Sequence, residues 1–308
     1  MFLYKVYTGN NQWFLYIFTL LIVFLALQLG SIPLAIYLII KDVVFSHPQE
    51  ALSTISNTNL GLALMLLPHI AGFVALLFCI KHIHKKPIQS VITARPQISW
   101  HRVWFAAGIW SILGLSITLI PLLFASPDTV IFQFNPSKFI ILLLISICLF
   151  PFQATFEELI FRGYLMQWFA YLFKYRWIAI LLTSILFGLM HGNNPEIETF
   201  GVGIAMSNYI ILGLILSYIT VKDNGMELAI GFHTSNNILS ALTTTSEGTT
   251  LQTHALFKLL NPTASWLDVL IILLVGLIFI WICNKKYHFI RQNNLWQKIP
   301  VPSTSNDR

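Results

Sequence analysis

Three clusters of polar side chains stand in stretches that are otherwise apolar, and an ionisable residue in such surroundings is costly enough to be a functional candidate by default. The first is Glu157-Glu158-Leu-Ile-Phe-Arg162, directly after the apolar run ending Pro151-Phe-Gln-Ala-Thr-Phe156. On a helix Glu158 and Arg162 are i and i+4 and share a face. Glu157 lies five residues from Arg162, roughly 140° around the axis at about 100° per residue. The pattern separates the two carboxylates by role: Glu158 can be neutralised by Arg162, while Glu157 points elsewhere without a local cation. A carboxylate so placed suits general-base chemistry; the alternative is an interfacial Glu–Arg pair that closes a helix.

The second cluster is Phe187-Gly-Leu-Met-His191. Phe187 is i−4 from His191, so it packs on the same face and can fix the ring; the alternative is a capped interfacial histidine. The third is His233-Thr-Ser-Asn-Asn237, in which His233 and Asn237 are i and i+4 and Asn236 is the rival at i+3. Five polar residues in succession cannot face lipid and must face other helices or a watery cavity. The bland reading of this third group is a hydrogen-bond cluster that glues helices together. Two Glu, two His and one Asn on three helices form the kit for activating a water and stabilising an oxyanion.

The elements that must carry these residues follow from composition. The chain has 308 residues, 56% of them apolar and only 10% charged. A soluble domain is about 25% charged, so a water-facing globule and a disordered chain are both excluded. Residues 6–40, 51–80, 103–127, 139–156, 177–195, 199–221, 228–246 and 269–284 contain no Asp, Glu, Lys or Arg. With about 17–25 residues needed per span, trimming gives eight helices near 14–40, 59–80, 103–125, 139–158, 177–191, 201–220, 228–242 and 267–283. The runs are continuously apolar rather than alternating, which argues against a transmembrane β-barrel. The first run exceeds the roughly 7–15 residues of a signal h-region and reads as a retained helix, kinked near Gly30 and Pro33. The expected fold is therefore an all-α polytopic membrane bundle of about eight transmembrane helices. Its expected organisation is three helices and a basic loop in 1–138, a core bearing all three clusters in 139–242, and a last helix with a basic tail in 243–308.

Lys and Arg set the expected orientation. With the N-terminus inside, fifteen of the 18 fall on inner segments and only Lys41, Lys138 and Lys258 on outer ones, which points to N-in and C-in. The net charge of +6 is then topology and contact with anionic headgroups, not a nucleic-acid surface. Cys79, Cys148 and Cys283 all lie in apolar spans, an odd and widely spaced set that reads as buried apolar residues rather than a disulfide or zinc framework. No phosphate-binding Gly-rich loop, G-x-S-x-G, H-E-x-x-H or internal repeat is present.

In order and on successive hydrophobic segments, Glu157-Glu158-x-x-x-Arg162, Phe187-x-x-x-His191 and His233-x-x-x-Asn237 resemble the motifs of the CPBP family, the CAAX-protease and bacteriocin-processing membrane proteins. That family includes type II CAAX prenyl endopeptidases and proteins like lysostaphin resistance protein A. Gly163 matches the family's glycine after the arginine, and Asp223-Asn-Gly225 resembles the turn before its last motif. The resemblance spans roughly 139–242. It implies an intramembrane endopeptidase acting on a peptide or protein. Glu157 would activate the water, His191 assist the water or the proton transfers, and His233 and Asn237 stabilise the oxyanion, with Glu158, Arg162 and Phe187 in support. Members have also been labelled metalloproteases, and Glu157, His191 and His233 would be the three ligands of a catalytic zinc. A metal-free glutamate mechanism is the favoured expectation, because no local ligand pair exists and Asn237 suits an oxyanion better than zinc.

If the protein is bacterial, the location is the plasma membrane and the expected role is bacteriocin processing, self-immunity or regulatory cleavage. The tail Val301-Pro-Ser-Thr-Ser-Asn-Asp-Arg308 is not a C-a-a-X sequence. Two other classes compete: a non-catalytic immunity or scaffold protein, and a proton-coupled transporter, although transporters carry paired repeats that are missing here. One geometric demand is explicit. With Glu157 toward the inner side, His191 lies about 14 residues, roughly 20 Å, up the outward fifth helix, so a shared site needs a fifth helix that starts below the membrane plane, different helix boundaries, or a fourth helix bent near Pro151.

Overall fold

The apolar runs fold as helices, because a chain in lipid must satisfy every backbone N–H and C=O within itself. The computed structural model describes residues 1–41, 58–126, 128–289 and 294–300. The expectations about Arg291 and the tail 301–308 lie outside the described residues. Helices α1 (Trp13–Gly30), α2 (Ile32–Ile40), α3 (Asn59–Phe78) and α4 (Trp100–Leu123) come first. They are followed by α5 (Pro136–Glu158), α6 (Met166–Phe173) and α7 (Arg176–Met190). A short α8 (Pro195–Phe200), then α9 (Val202–Asp223), α10 (Glu227–Thr243) and α11 (Trp266–Tyr287) complete the set. At one end a small sheet joins Val130–Phe132 antiparallel, and Thr244–Ser246 parallel, to Phe257–Leu259. The first run is one hydrophobic unit broken at Ser31, between Gly30 and Pro33, where α2 starts afresh with the proline in its first turn.

The described residues contain six helices long and apolar enough to cross a membrane, not eight: Trp13–Ile40, Asn59–Ile83, Trp100–Leu123, Pro136–Phe173, Val202–Asp223 and Trp266–Tyr287. The protein is an integral, multi-pass membrane protein. The two expected spans that fall short are α7, with 15 residues, and α10, with 17. Fifteen residues reach only about 22 Å at 1.5 Å each, against a hydrocarbon core of about 30 Å. Helix α10 is held by protein rather than lipid: every residue from Glu227 to His233 is buried. Around these, the outer helices expose large apolar side chains such as Phe18, Leu25, Trp104 and Trp281, as a lipid-facing surface requires.

The fourth span is much longer than the expected 139–158. Past Glu158 the helix passes through a π-helical stretch, Leu159–Leu165, and continues as α6 to Phe173. The chain then turns at Lys174, which adopts a left-handed conformation, and α7 packs back along it. Glu157 is thus seventeen residues before the turn at Lys174 and His191 fifteen residues after α7 begins. The hairpin returns the histidine to the level of the carboxylate, which meets the geometric demand.

The first residues and the segment 294–300 come together at the end of the bundle where basic residues gather. The Phe2 amide donates to Asn224 Oδ1 at 3.0 Å, and the Ile299 amide donates to the Lys174 carbonyl at 2.7 Å. Arg176 Nη1 donates to the carbonyls of Asn294 and Gln297. Here too lies the anchor of α10. Arg95 reaches Asp223 Oδ2 at 2.8 Å and Glu227 Oε2 at 3.0 Å, and Arg102 Nε reaches Asp223 Oδ2 at 3.0 Å while its guanidinium covers the Tyr287 ring. The tight turn between α9 and α10 uses Asn224 at φ 59° and then Gly225, where a Cβ would strike Glu227 and Thr93. Cys79, Cys148 and Cys283 are free thiols, with Cys148 exposed and the other two buried.

Candidate functional site

The face-sharing of Glu158 and Arg162 appears as a direct pair, Arg162 Nη1 to Glu158 Oε1 at 2.9 Å, with both side chains wholly buried. Arg162 sits in the π-helical stretch, a backbone form often found at functional sites. Its other nitrogens donate to the Gly213 carbonyl (3.3 Å) and Ser217 Oγ (3.4 Å) on α9, and its guanidinium lies 4.5 Å from the centre of the Phe187 ring. So enclosed, the cation is neutralised on one side and covered on the other. The glycine that follows is required: a Cβ at Gly163 would stand 2.6 Å from the Val91 carbonyl. Glu158 Oε1 accepts a second bond, from His233 Nδ1 at 2.7 Å. That bond turns the imidazole so that Nε2 faces Glu157 Oε2 at 3.6 Å.

Glu157 lives in a different setting on the next residue. Its side chain is 13% exposed, against none for Glu158. Oε1 accepts from Gln153 Nε2 at 2.5 Å and faces His69 Nε2 at 3.7 Å. Oε2 has no hydrogen-bond partner among the described residues. His191, immediately after α7, is held between Phe187 (4.7 Å between ring centres) and Tyr209 of α9 (4.3 Å, stacked). Its Nδ1 lies 2.7 Å from the Phe187 carbonyl, which can only accept, so Nδ1 carries the proton and Nε2 is left to act. Phe187 also meets the His233 ring edge-on at 5.9 Å, so one aromatic side chain spaces both histidines. His233, His191 and His69 all lie within electrostatic reach of Glu157.

A chain of amides ends on the same carboxylate. Trp110 Nε1 donates to Asn236 Oδ1 (3.1 Å), Asn236 Nδ2 to Asn237 Oδ1 (3.2 Å), Asn237 Nδ2 to Gln153 Oε1 (2.7 Å), and Gln153 Nε2 to Glu157 Oε1. An indole can only donate and a carboxylate only accept, so the two ends dictate the orientation of all three amides between them. Such chains strengthen each link by polarisation. Asn237 therefore faces Gln153 and the Glu157 neighbourhood, whereas its rival Asn236 is turned to Trp110.

The structure gathers every residue singled out from the sequence: Glu157, His191, His233 and Asn237, with Glu158, Arg162 and Phe187 around them. Sequence reasoning missed four contributors, His69, Gln153, Trp110 and Tyr209. Two left a signal. Gln153 is i−4 from Glu157 on the same helix, and His69 is an ionisable residue in the middle of a run that was screened only for Asp, Glu, Lys and Arg. Trp110 and Tyr209 resemble any other aromatic of a membrane helix. A zinc set of Glu157, His191 and His233 does not fit the arrangement: among the described residues no three His, Cys, Asp or Glu side chains are placed to hold a metal ion.

Similarity to known proteins falls on this site. Residues 137–239 match the family described as type II CAAX prenyl endopeptidase Rce1-like, a segment that contains Glu157 through Asn237. The chain is also similar to the uncharacterized protein YyaK of Bacillus subtilis (strain 168), at 28% identity over 232 residues, 75% of this chain and 77% of the relative. No solved structure matches it significantly. Ordered motifs, an all-helical membrane architecture and the matched segment agree: over residues 137–239 the chain is similar to the Rce1-like CAAX-protease family of CPBP membrane proteins.

Proposed function

We propose that this protein is an intramembrane endopeptidase in which Glu157 activates the water that attacks a peptide bond. The observation that carries the reading is the asymmetry of Glu157: Oε1 is held by Gln153, while Oε2 has no hydrogen-bond partner among the described residues and faces His233 Nε2 at 3.6 Å. That separation is too long for a direct hydrogen bond, so Oε2 is left uncommitted. In the reaction Oε2 takes a proton from the water as its oxygen bonds to the scissile carbonyl carbon. The oxyanion that forms is met by His233 Nε2–H and by the second Nδ2–H of Asn237. With Nδ1–H committed to Glu158, His233 donates from Nε2 when doubly protonated. His191 Nε2 supports the water, and the proton on Glu157 passes to the departing amide nitrogen as the C–N bond breaks. Water is consumed, and a carboxylic acid and an amine are released.

The substrate is a peptide or protein segment reached from the bilayer or the basic side of the bundle. The family match over residues 137–239 supports hydrolysis, and the gathering of the first residues and the segment 294–300 with the basic residues supports an N-in, C-in orientation by the positive-inside rule. Residues 139–242 form the catalytic core, with 1–138 and 243–308 walling it. Metal is not required in this scheme.

The test is purified protein with a synthetic peptide pool, read by mass spectrometry, with and without chelator. The wild type cleaves, the rate survives chelation, and Glu157→Gln lowers it about 10²–10⁴-fold, the usual worth of a general base. Loss in chelator restored by zinc overturns the metal-free scheme. A pool left uncut by wild type, with an unchanged cellular phenotype for Glu157→Gln, favours a scaffold or immunity protein.

A further inference from the structure

Helix α3 lies outside the segment that matches the protease family, yet it delivers a histidine to the carboxylate. His69 Nε2 is 3.7 Å from Glu157 Oε1, and the ring meets Phe156 edge-on at 6.1 Å between centres. Its other nitrogen, Nδ1, is buried without a hydrogen-bond partner among the described residues. A buried polar atom left unpaired is destabilising, so packing alone gives no reason for an imidazole here; a leucine would fill the same space without that cost. Close packing nearby keeps the helix in register with α5. At Gly72, one turn on from His69, a Cβ would stand 2.8 Å from the Phe156 ring.

We propose that His69 is a positioning residue for peptide-bond hydrolysis, pairing with Gln153 to hold Oε1 of Glu157 so that Oε2 alone addresses the water. The inference rests on the endopeptidase reading for its catalytic part and on geometry for the pairing. It assigns the two carboxylate oxygens different work. Oε1 is the anchored oxygen, hydrogen-bonded to Gln153 from its own helix and faced at ion-pair distance, 3.7 Å, by His69 from α3. Oε2 is the working oxygen, facing His233. It also gives the N-terminal segment a part in the chemistry: α3 closes one side of the site and sets the angle of the base. A hydrogen bond and an electrostatic contact on one oxygen restrain rotation about the carboxyl bond, and small errors in the angle of a base are expensive in rate.

Two measurements test it. In the first, thermal unfolding in detergent is compared for His69→Ala, Glu157→Ala and the double variant. Direct pairing makes the shifts in Tm non-additive, and additive shifts overturn the proposal. In the second, the best-cleaved peptide of the pool is followed with His69→Ala and His69→Gln. Expected are a fall in kcat of about ten- to a hundredfold for His69→Ala, KM within about twofold, a smaller fall for His69→Gln, which keeps a donor, and partial recovery of His69→Ala by added imidazole. A packing role alone would not respond to imidazole. An unchanged kcat in a folded His69→Ala protein overturns the proposal. If the wild type cuts no peptide, the endopeptidase reading fails while the unfolding cycle still decides whether His69 and Glu157 are paired.

Discussion

Helix α10 passes through two charged clusters that are built on opposite plans. At its start, two acids meet two guanidiniums: Arg95 serves Asp223 and Glu227, and Arg102 serves Asp223, all at 2.8–3.0 Å. Six residues on, at His233, two acids share one guanidinium. Glu158 takes Arg162 at 2.9 Å, and Glu157 is left with imidazoles at 3.6 and 3.7 Å. The first cluster is electrically closed and fixes a helix end. The second is closed on one side only. Its open side is faced by rings, the side chains best suited to gain and lose protons near neutral pH. Stability and reactivity are thus divided between neighbouring residues, Glu158 serving the one and Glu157 the other.

Substitutions can break that division. The largest effect is expected for Arg162→Met, which leaves Glu158 wholly buried without its guanidinium and should cost about 3–5 kcal/mol in chemical unfolding in detergent. Glu157→Gln should cost less than about 1 kcal/mol in the same measurement, because the amide keeps an oxygen that can accept from Gln153; equal losses for the two would erase the distinction. Arg95→Met should come next, at about 2–3 kcal/mol, because its guanidinium is partly exposed and Arg102 still neutralises Asp223. A loss as large as that of Arg162→Met would make the two clusters equivalent.

A smaller effect than the loss of either guanidinium comes from a third arrangement at the basic end, a buried cation among neutral acceptors. Lys86 Nζ donates to Val6 O (3.2 Å), Asn11 Oδ1 (2.6 Å) and Tyr16 OH (3.3 Å). Burial lowers its pKa to about 8, from an ordinary value of 10.5. The unfolded chain then holds more protons between those values, so stability rises with pH across the window, by at most about 2 kcal/mol from pH 8 to 9.5. Lys86→Met should flatten that slope; a slope unchanged in the variant would mean that another group carries it.

Much of this was legible in one dimension. Charge-free runs located the helices, since lipid leaves a chain no other way to bury its backbone. The i, i+4 rule paired Glu158 with Arg162 and turned Glu157 away from them. What misled was the use of charge gaps as span boundaries. The gap before Glu157 predicts a helix ending near 158, whereas Glu158 and Arg162 neutralise each other and the helix runs on to Phe173. Two apolar gaps likewise predict full spans, although α7 is too short and α10 is wrapped in protein.

The sequence by itself therefore determined the solvent, the helical class, the chemical types at the centre and their order, because composition and helical spacing are local properties. Only the tertiary structure decided which side chains meet. His233 bridges two carboxylates 75 and 76 residues before it; the amide chain from Trp110 crosses three helices; His69 arrives from a helix no motif includes. Such contacts depend on how deep each helix sits and which way it is rotated against its neighbours. Those are set by packing between segments far apart in the chain, which no spacing within one helix records.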